Sequence, residues 1–223
     1  TTVAEITVRT EVENLQPIAK QVSVDLNLEG KKVTQEVNLA PKERKTVVFT
    51  PDVHKTLELK SPRLWWPNNY GRQELYTMDV VVAEKGVSSD SKKVRFGVRE
   101  LSYELEVCFP DDSIRRVEYR PTVMGQGEPI FDNINRKYIE GGMCMPRLKK
   151  NVSSDILVPA PDKAMQHYMV IKVNGKRIFC KGGNWGMDDA MKRVSREHLE
   201  PYFRLHKEAN FNMIRNWTGE STE

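Results

Sequence analysis

FCKGGNWGMDDAMKRVSREHLEPYFRLHKEANFNMIRNW, residues 179–217, decides how this chain folds, and the other segments take their places around it. A short apolar strand runs into a Gly-rich loop, an amphipathic helix follows, and a second apolar strand closes the segment. That order predicts a β-α-β unit, and ligands meet such units at the carboxyl ends of parallel strands. Those ends carry Asn184, Trp185, Asp188 and Asp189 after the first strand, and Arg215, Asn216 and Trp217 at the close of the second. An indole covers the apolar face of a sugar ring while carboxylates, arginine and carboxamides fix its hydroxyls, so the set predicts a saccharide site. Ser195 and Glu197 open the helix, Leu199, Tyr202, Phe203, Leu205 and Ala209 give it a three-and-four spacing, and Asn210 ends it. Pro201 lies too deep for a first turn, so the helix is expected to start later than Ser195 or to bend at the proline. Just upstream, YMVIKVNGKRIFCKGG (168–183) predicts a hairpin turning at Asn174-Gly175, with its second arm, residues 177–181, forming the first strand.

Working back toward the start, residues 1–96 read as β throughout. EITVRTEV, VSVDLNLEG and KKVTQEVNL alternate apolar with polar residues, and KTVVFT, LELKSP, ELYTMDVVVAEKG and SKKVRFG follow. Seven short strands with Gly, Pro and Lys turns predict an immunoglobulin-like β-sandwich. Its aromatic stretch Leu64–Tyr76 reads as a packed corner, with a direct sugar contact as the sharper alternative. Residues 97–168 break the pattern: a strand-like FGVRELSYELEV gives way to Pro- and Gly-rich stretches such as MGQGEP and EGGMCMPRLKKN. We expect an edge strand followed by a long exposed insertion, open to proteolysis. The third segment, 169–223, is the β-α-β unit.

The 223 residues carry a net charge of +4, with lysines scattered in short pairs among acids, so no nucleic-acid partner is expected. No apolar run approaches the roughly 20 residues of a membrane span, so no membrane is expected either. Three cysteines without a CxxC, and four histidines in no HExxH-like pair, predict neither a disulfide framework, a metal site nor a cofactor. Asn151-Val152-Ser153 is a glycosylation sequon in a polar loop, whereas Asn216-Trp217-Thr218 ends a strand expected to be buried. The first residue is Thr1, so a processed or cut chain is expected, and vacuolar, secreted and cytoplasmic locations all stay open.

Four segments in order, WWPNNYGRQELY (65–76), FGVREL (96–101), VNGKRIFCKGGNW (173–185) and EANFNMIRNW (208–217), resemble glycoside hydrolase family 2, and within it the plant members that act endo on N-glycan cores. The resemblance implies a fold that is mainly β plus α/β: an immunoglobulin-like sandwich followed by the first two strands and first helix of a (β/α)8 barrel. A full barrel takes about 250 residues, so the remainder is expected on another polypeptide. The implied partners are N-terminal and C-terminal fragments of the same enzyme. The implied activity is retaining hydrolysis of the Manβ1-4GlcNAc bond, the substrate being an N-glycan or related oligosaccharide. Exo-β-mannosidase and exo-β-glucosaminidase action are the alternatives within the family, and a non-catalytic carbohydrate-binding sandwich is the alternative outside it. The resemblance puts no catalytic glutamate on this chain: the family's acid/base and nucleophile words have no match, and Glu220 and Glu223 fit neither. It makes Trp185 and one acid, Asp188 or Asp189, the holders of the sugar in the −1 site. It makes Arg215 the support that keeps the nucleophile charged, and Trp217 a pocket wall. The plainer readings stand beside these: Asn184 closing a turn, Trp217 in a core, Arg215 in a structural ion pair.

Overall fold

The computed structural model describes residues 3–121, 129–138, 144–152, 157–159, 169–186, 191 and 193–216. They form two units: one runs to Trp65 and resumes over Arg72–Val98, the other joins Trp66–Gly71 to the residues from Arg99 onward.

In the first unit the alternating segments become β1 (Val3–Glu5), β2 (Val8–Glu13), β3 (Lys20–Leu28), β4 (Lys31–Leu39), β5 (Arg44–Phe49), β6 (Glu58–Lys60), β7 (Tyr76–Glu84) and β8 (Val87–Phe96). One antiparallel sheet has the order β4-β3-β7-β8; β2 pairs with β5 and β1 with β6. Period two explains the layering. Val22, Val24, Leu26 and Leu28 of β3 are buried, and they share one cluster with Val12 of β2 and Val47 and Phe49 of β5. The four-stranded sheet and the β2–β5 pair therefore share a single core. Two of its hairpins turn on two residues with positive φ: Glu29-Gly30 (48° and 93°) and Lys85-Gly86 (50° and 80°). Nothing would obstruct a Cβ at either glycine, so the backbone angle alone demands glycine there.

The second unit corrects the reading of residues 97–168 as an edge strand and exposed insertion. Its described residues form β9 (Leu101–Cys108), β10 (Ile114–Tyr119), β11 (Phe131–Tyr138), β12 (Cys144–Leu148) and β13 (Val158–Pro159), joined by β14 (Val170–Val173) and β15 (Lys176–Arg177) in one sheet. β9 is its spine, flanked by β10 on one edge and by β14 and the end of β12 on the other. Val107, Phe109, Val117, Leu148 and Leu157 are buried together on one face. The opposite face is also covered, although it is polar: Ser102, Glu104, Glu106, Arg116 and Glu118 are all buried. Charge neutralisation makes that tolerable. Arg177 grips the Glu104 carboxylate with two bonds of 2.7 and 3.1 Å, and Lys172 Nζ lies 2.6 Å from Glu118.

Burial works against charge on Glu118, yet hydrogen bonds from Lys172, Arg120 and Ser102 outweigh it and hold the carboxyl below the usual range. A depressed carboxylate contributes stability that is present above its unfolded value and is lost as pH falls through its folded value. The opening free energy of β9 and β10 amides, read from hydrogen-exchange protection factors from pH 7 downward, is expected to drop below about pH 4.3, the unperturbed glutamate value. Glu118→Gln is expected to lower its neutral-pH value and flatten that acid slope. A variant profile parallel to the parent's would exclude Glu118 as a source of the dependence.

β16 (Gly182–Trp185), α1 (Arg196–Glu208) and β17 (Met213–Asn216) complete the chain's described part, and β16 and β17 pair in parallel. The β-α-β order is as the sequence predicted, with two shifts. The predicted hairpin forms, Asn174-Gly175 taking φ of 50° and 78°, but its second arm stops at Arg177. The strand of the parallel pair is GGNW, not residues 177–181. The helix does not start late: Ser195 caps it, accepting from His198 N at 3.3 Å, and Pro201 lies inside, the alternative of a bend at the proline being the one left.

Candidate functional site

The site rests on the register of β16 against β17. Gly182 faces Met213, and a Cβ built there would collide with the Met213 carbonyl, so only glycine lets the strands approach. From that pairing the next rungs follow: Asn184 stands opposite Arg215, and Trp185 opposite Asn216. Side chains directly opposite share a face, and successive ones alternate. Asn184 and Arg215 meet on one face, where the Arg215 guanidinium donates from Nη1 to the Asn184 carboxamide oxygen at 3.1 Å.

Trp185 goes the other way. Its ring packs under α1, with ring centres 5.6 Å from Tyr202, 6.1 Å from Phe203 and 6.0 Å from His206. Consecutive rungs place Trp185 and Arg215 on opposite faces of the pair, and the indole packs against the helix. Asn216 pairs on the rung of Trp185 and is exposed. His206 donates from Nδ1 to the Tyr202 carbonyl at 2.7 Å, which fixes its ring edge-on to Trp185 and Phe211. Asp188, Asp189 and Trp217 lie outside the described residues, as do Glu220 and Glu223. Among the described residues no group of histidine, cysteine and acidic side chains is placed to hold a metal ion, and no helix is long and apolar enough to cross a membrane.

The far ends of the two strands are tied by residues the sequence reading did not single out. Asn212 accepts from Lys181 N at 2.9 Å and donates to the Phe179 carbonyl at 3.0 Å. Helix α1 ends in a Schellman turn: Asn210, at φ 62°, donates to the Lys207 carbonyl and Phe211 donates to that of His206. The helical apolar pattern placed the end at Asn210; an asparagine in that position tolerates positive φ. The chemistry available is therefore a fixed carboxamide–guanidinium pair on the helix-free face of a parallel strand pair. That pair can bind hydroxyls and stabilise a nearby anion.

Three comparisons bear on this geometry. Residues 1–99 match the family model described as glycosyl hydrolases family 2. The mannosylglycoprotein endo-beta-mannosidase of Lilium longiflorum is 25% identical over 207 residues, which is 92% of this chain and 15% of that protein. An exo-beta-D-glucosaminidase of Streptomyces avermitilis is 34% identical over 212 residues, 95% of this chain and 17% of its own length. In three dimensions an exo-chitosanase of Amycolatopsis orientalis superposes with a TM-score of 0.60 at 22% identity, covering all of this chain and 18% of that one. The chain thus spans less than a fifth of the length of these relatives. From its matched residues 1–99 through the relatives that align across nine-tenths of it, this chain is homologous to the glycosyl hydrolases of family 2.

Proposed function

We propose that this chain is the central piece of a retaining β-glycosidase of the β-mannosidase type, which cleaves the Manβ1-4GlcNAc bond of N-glycan cores. In this reading β16, α1 and β17 begin a (β/α)8 barrel whose remaining strands arrive on other polypeptide segments of the same enzyme. Retaining hydrolysis needs two carboxyl groups about 5–5.5 Å apart, and those come from the segments beyond this chain. The contribution made here is binding. Asn184 reaches a substrate hydroxyl, Arg215 supports the carboxylate nucleophile, and Asp188 or Asp189 with Trp217 completes the sugar's surroundings. The observation that carries the proposal is the parallel β-α-β unit with Asn184 and Arg215 hydrogen-bonded on its helix-free face. A barrel interior lies on that face in any closed (β/α)8 arrangement, because the helices form the outer ring.

The identity to an exo-glucosaminidase over 95% of the chain favours a second reading, release of terminal glucosamine. One set of assays separates the two. The enzyme carrying this chain is offered a core glycan whose β-mannose bears an α1,6-mannosyl branch, nitrophenyl β-mannoside and nitrophenyl β-glucosaminide. Cleavage of the capped glycan is the expected result. Turnover of the glucosaminide alone would replace the first reading with the second, and saccharide binding without turnover of any of the three would make the chain part of a binding module.

A further inference from the structure

We propose that Asn68, Asn69 and Tyr70 are positioning residues for the Asn184–Arg215 pair, acting through the two turns that lead into β16 and β17. The proposal rests on the reading of that pair as the substrate-facing site, and it goes beyond it by naming what holds the pair in register.

Pro67 through Gly71 fold as a tight loop in which Tyr70 N donates to the Pro67 carbonyl at 3.0 Å. Asn69 sits at φ 69°, a conformation asparagine adopts more readily than most residues. Gly71 packs so closely on the Trp66 ring that a Cβ there would lie 2.8 Å from it. The loop is therefore a shaped element with a fixed presentation of its three polar side chains, all of which are spent on backbone groups of one region. Asn68 Nδ2 donates to the carbonyls of Lys207 and Phe211, at 3.0 and 3.1 Å. Asn69 Nδ2 donates to the carbonyl of Asn210 at 3.1 Å. The Tyr70 hydroxyl accepts from Phe179 N at 2.8 Å.

These bonds brace the turn itself: the Lys207 carbonyl, which already accepts from Asn210 N in the Schellman turn, takes a further bond, and the carbonyls of Asn210 and Phe211 lie just past the helix. The two carboxamides supply donors to the carbonyls on either side of that turn. The same turn leads directly into Asn212, which bridges Lys181 and Phe179, and Phe179 is itself held by Tyr70. The loop thus fixes both strands at their amino ends, one through the end of α1 and one through Phe179. Register set there propagates along the Gly182–Met213 and Gly183–Ile214 rungs to Asn184 and Arg215. A slip of one residue would put Arg215 on the helix face.

Asn68→Ala, Tyr70→Phe and their combination, made in the enzyme that carries this chain, test the idea by hydrogen exchange and steady-state kinetics. The double variant is expected to speed amide exchange over 181–185 and 212–216 about tenfold, while strands of the first unit keep their parent rates. Its kcat is expected to fall about tenfold with KM little changed, since misplacement of a charge costs the reacting state more than the bound one. Asn69→Gly, which keeps the positive φ and removes only the amide, is expected to show the smaller part of both effects. Unaltered exchange over the two strand segments would overturn the proposal, as would acceleration spread evenly over β9–β15, or shifted exchange with kcat and KM untouched. A parent enzyme that cleaves no glycoside would refute the saccharide reading instead, and the exchange pattern would still decide whether the loop sets the register.

Discussion

Glu104→Ala is expected to destabilise the second unit by about 3–5 kcal/mol, the cost of removing one partner from a buried ionic cluster. The Glu104 side chain is 1% exposed and faces cations from three strands: Arg177 through a two-bonded fork, Lys172 Nζ at 3.7 Å and Arg116 Nη2 at 3.8 Å. Arg116 and Lys172 are themselves well shielded, at 5% and 13% side-chain exposure. Truncation leaves these charges desolvated without their central anion, and that penalty exceeds what the pairs contribute when intact. The companion variant separates the two quantities. Glu104→Leu combined with Arg177→Leu removes the anion together with its two-bonded cation, leaves Lys172 to Glu118, and is expected to recover part of the loss. A chain of two units does not unfold in one step, so the measurement is hydrogen exchange of β9, β10 and β14 amides and not a single melting curve. A Glu104→Ala change below about 1 kcal/mol, the range of an exposed ion pair, would mean that solvent reaches the cluster.

The same cluster explains why part of the fold was not legible in the sequence. In β9, Leu101, Tyr103, Leu105 and Val107 alternate with Ser102, Glu104, Glu106 and Cys108, a pattern that normally marks one wet face. Here both faces are covered, because the charges that neutralise Glu118 and Glu104 come from Lys172 and Arg177, 54 and 73 positions away. Local pattern carries no trace of such pairing, and the Pro- and Gly-rich stretch between looked like an insertion. Hairpins were readable because their information is local: Asn174-Gly175 specifies its own turn. The β-α-β order was readable for the same reason. The strand frame was not. Glycines at 182 and 183 argue against a strand by propensity, yet the Met213 carbonyl leaves room for nothing larger at 182. That frame decides which of two neighbours, Asn184 or Trp185, shares a face with Arg215. A resemblance at the level of residue types could name both, and only the rungs tell them apart.

For the hydrolysis proposed above, with Arg215 beside the nucleophile, Arg215→Lys is expected to lower kcat by about 10²-fold, the usual worth of one fixed donor to a developing or resident anion. The Asn184 carboxamide, itself neutral, accepts from Arg215 Nη1 and so helps to orient the guanidinium. A lysine keeps the charge but loses the planar fork, and its single ammonium cannot hold Asn184 and a carboxylate in the same plane. The pH profile carries the decisive sign. A cation beside the nucleophile lowers that carboxylate's pKa, and the nucleophile must be ionised to attack. Weakening the cation raises the pKa, so the acid limb of kcat/KM moves to higher pH, further in Arg215→Ala than in Arg215→Lys. Asn184→Asp offers the complementary test: a carboxylate on the facing rung captures the guanidinium, and the acid limb moves in the same direction although Arg215 is intact. A structural ion pair would lower thermal stability in all three variants and leave the acid limb where the parent has it. Stability loss without a shift in the limb would therefore remove Arg215 from the chemistry, and with it the main reason to assign the helix-free face of β16 and β17 to a substrate.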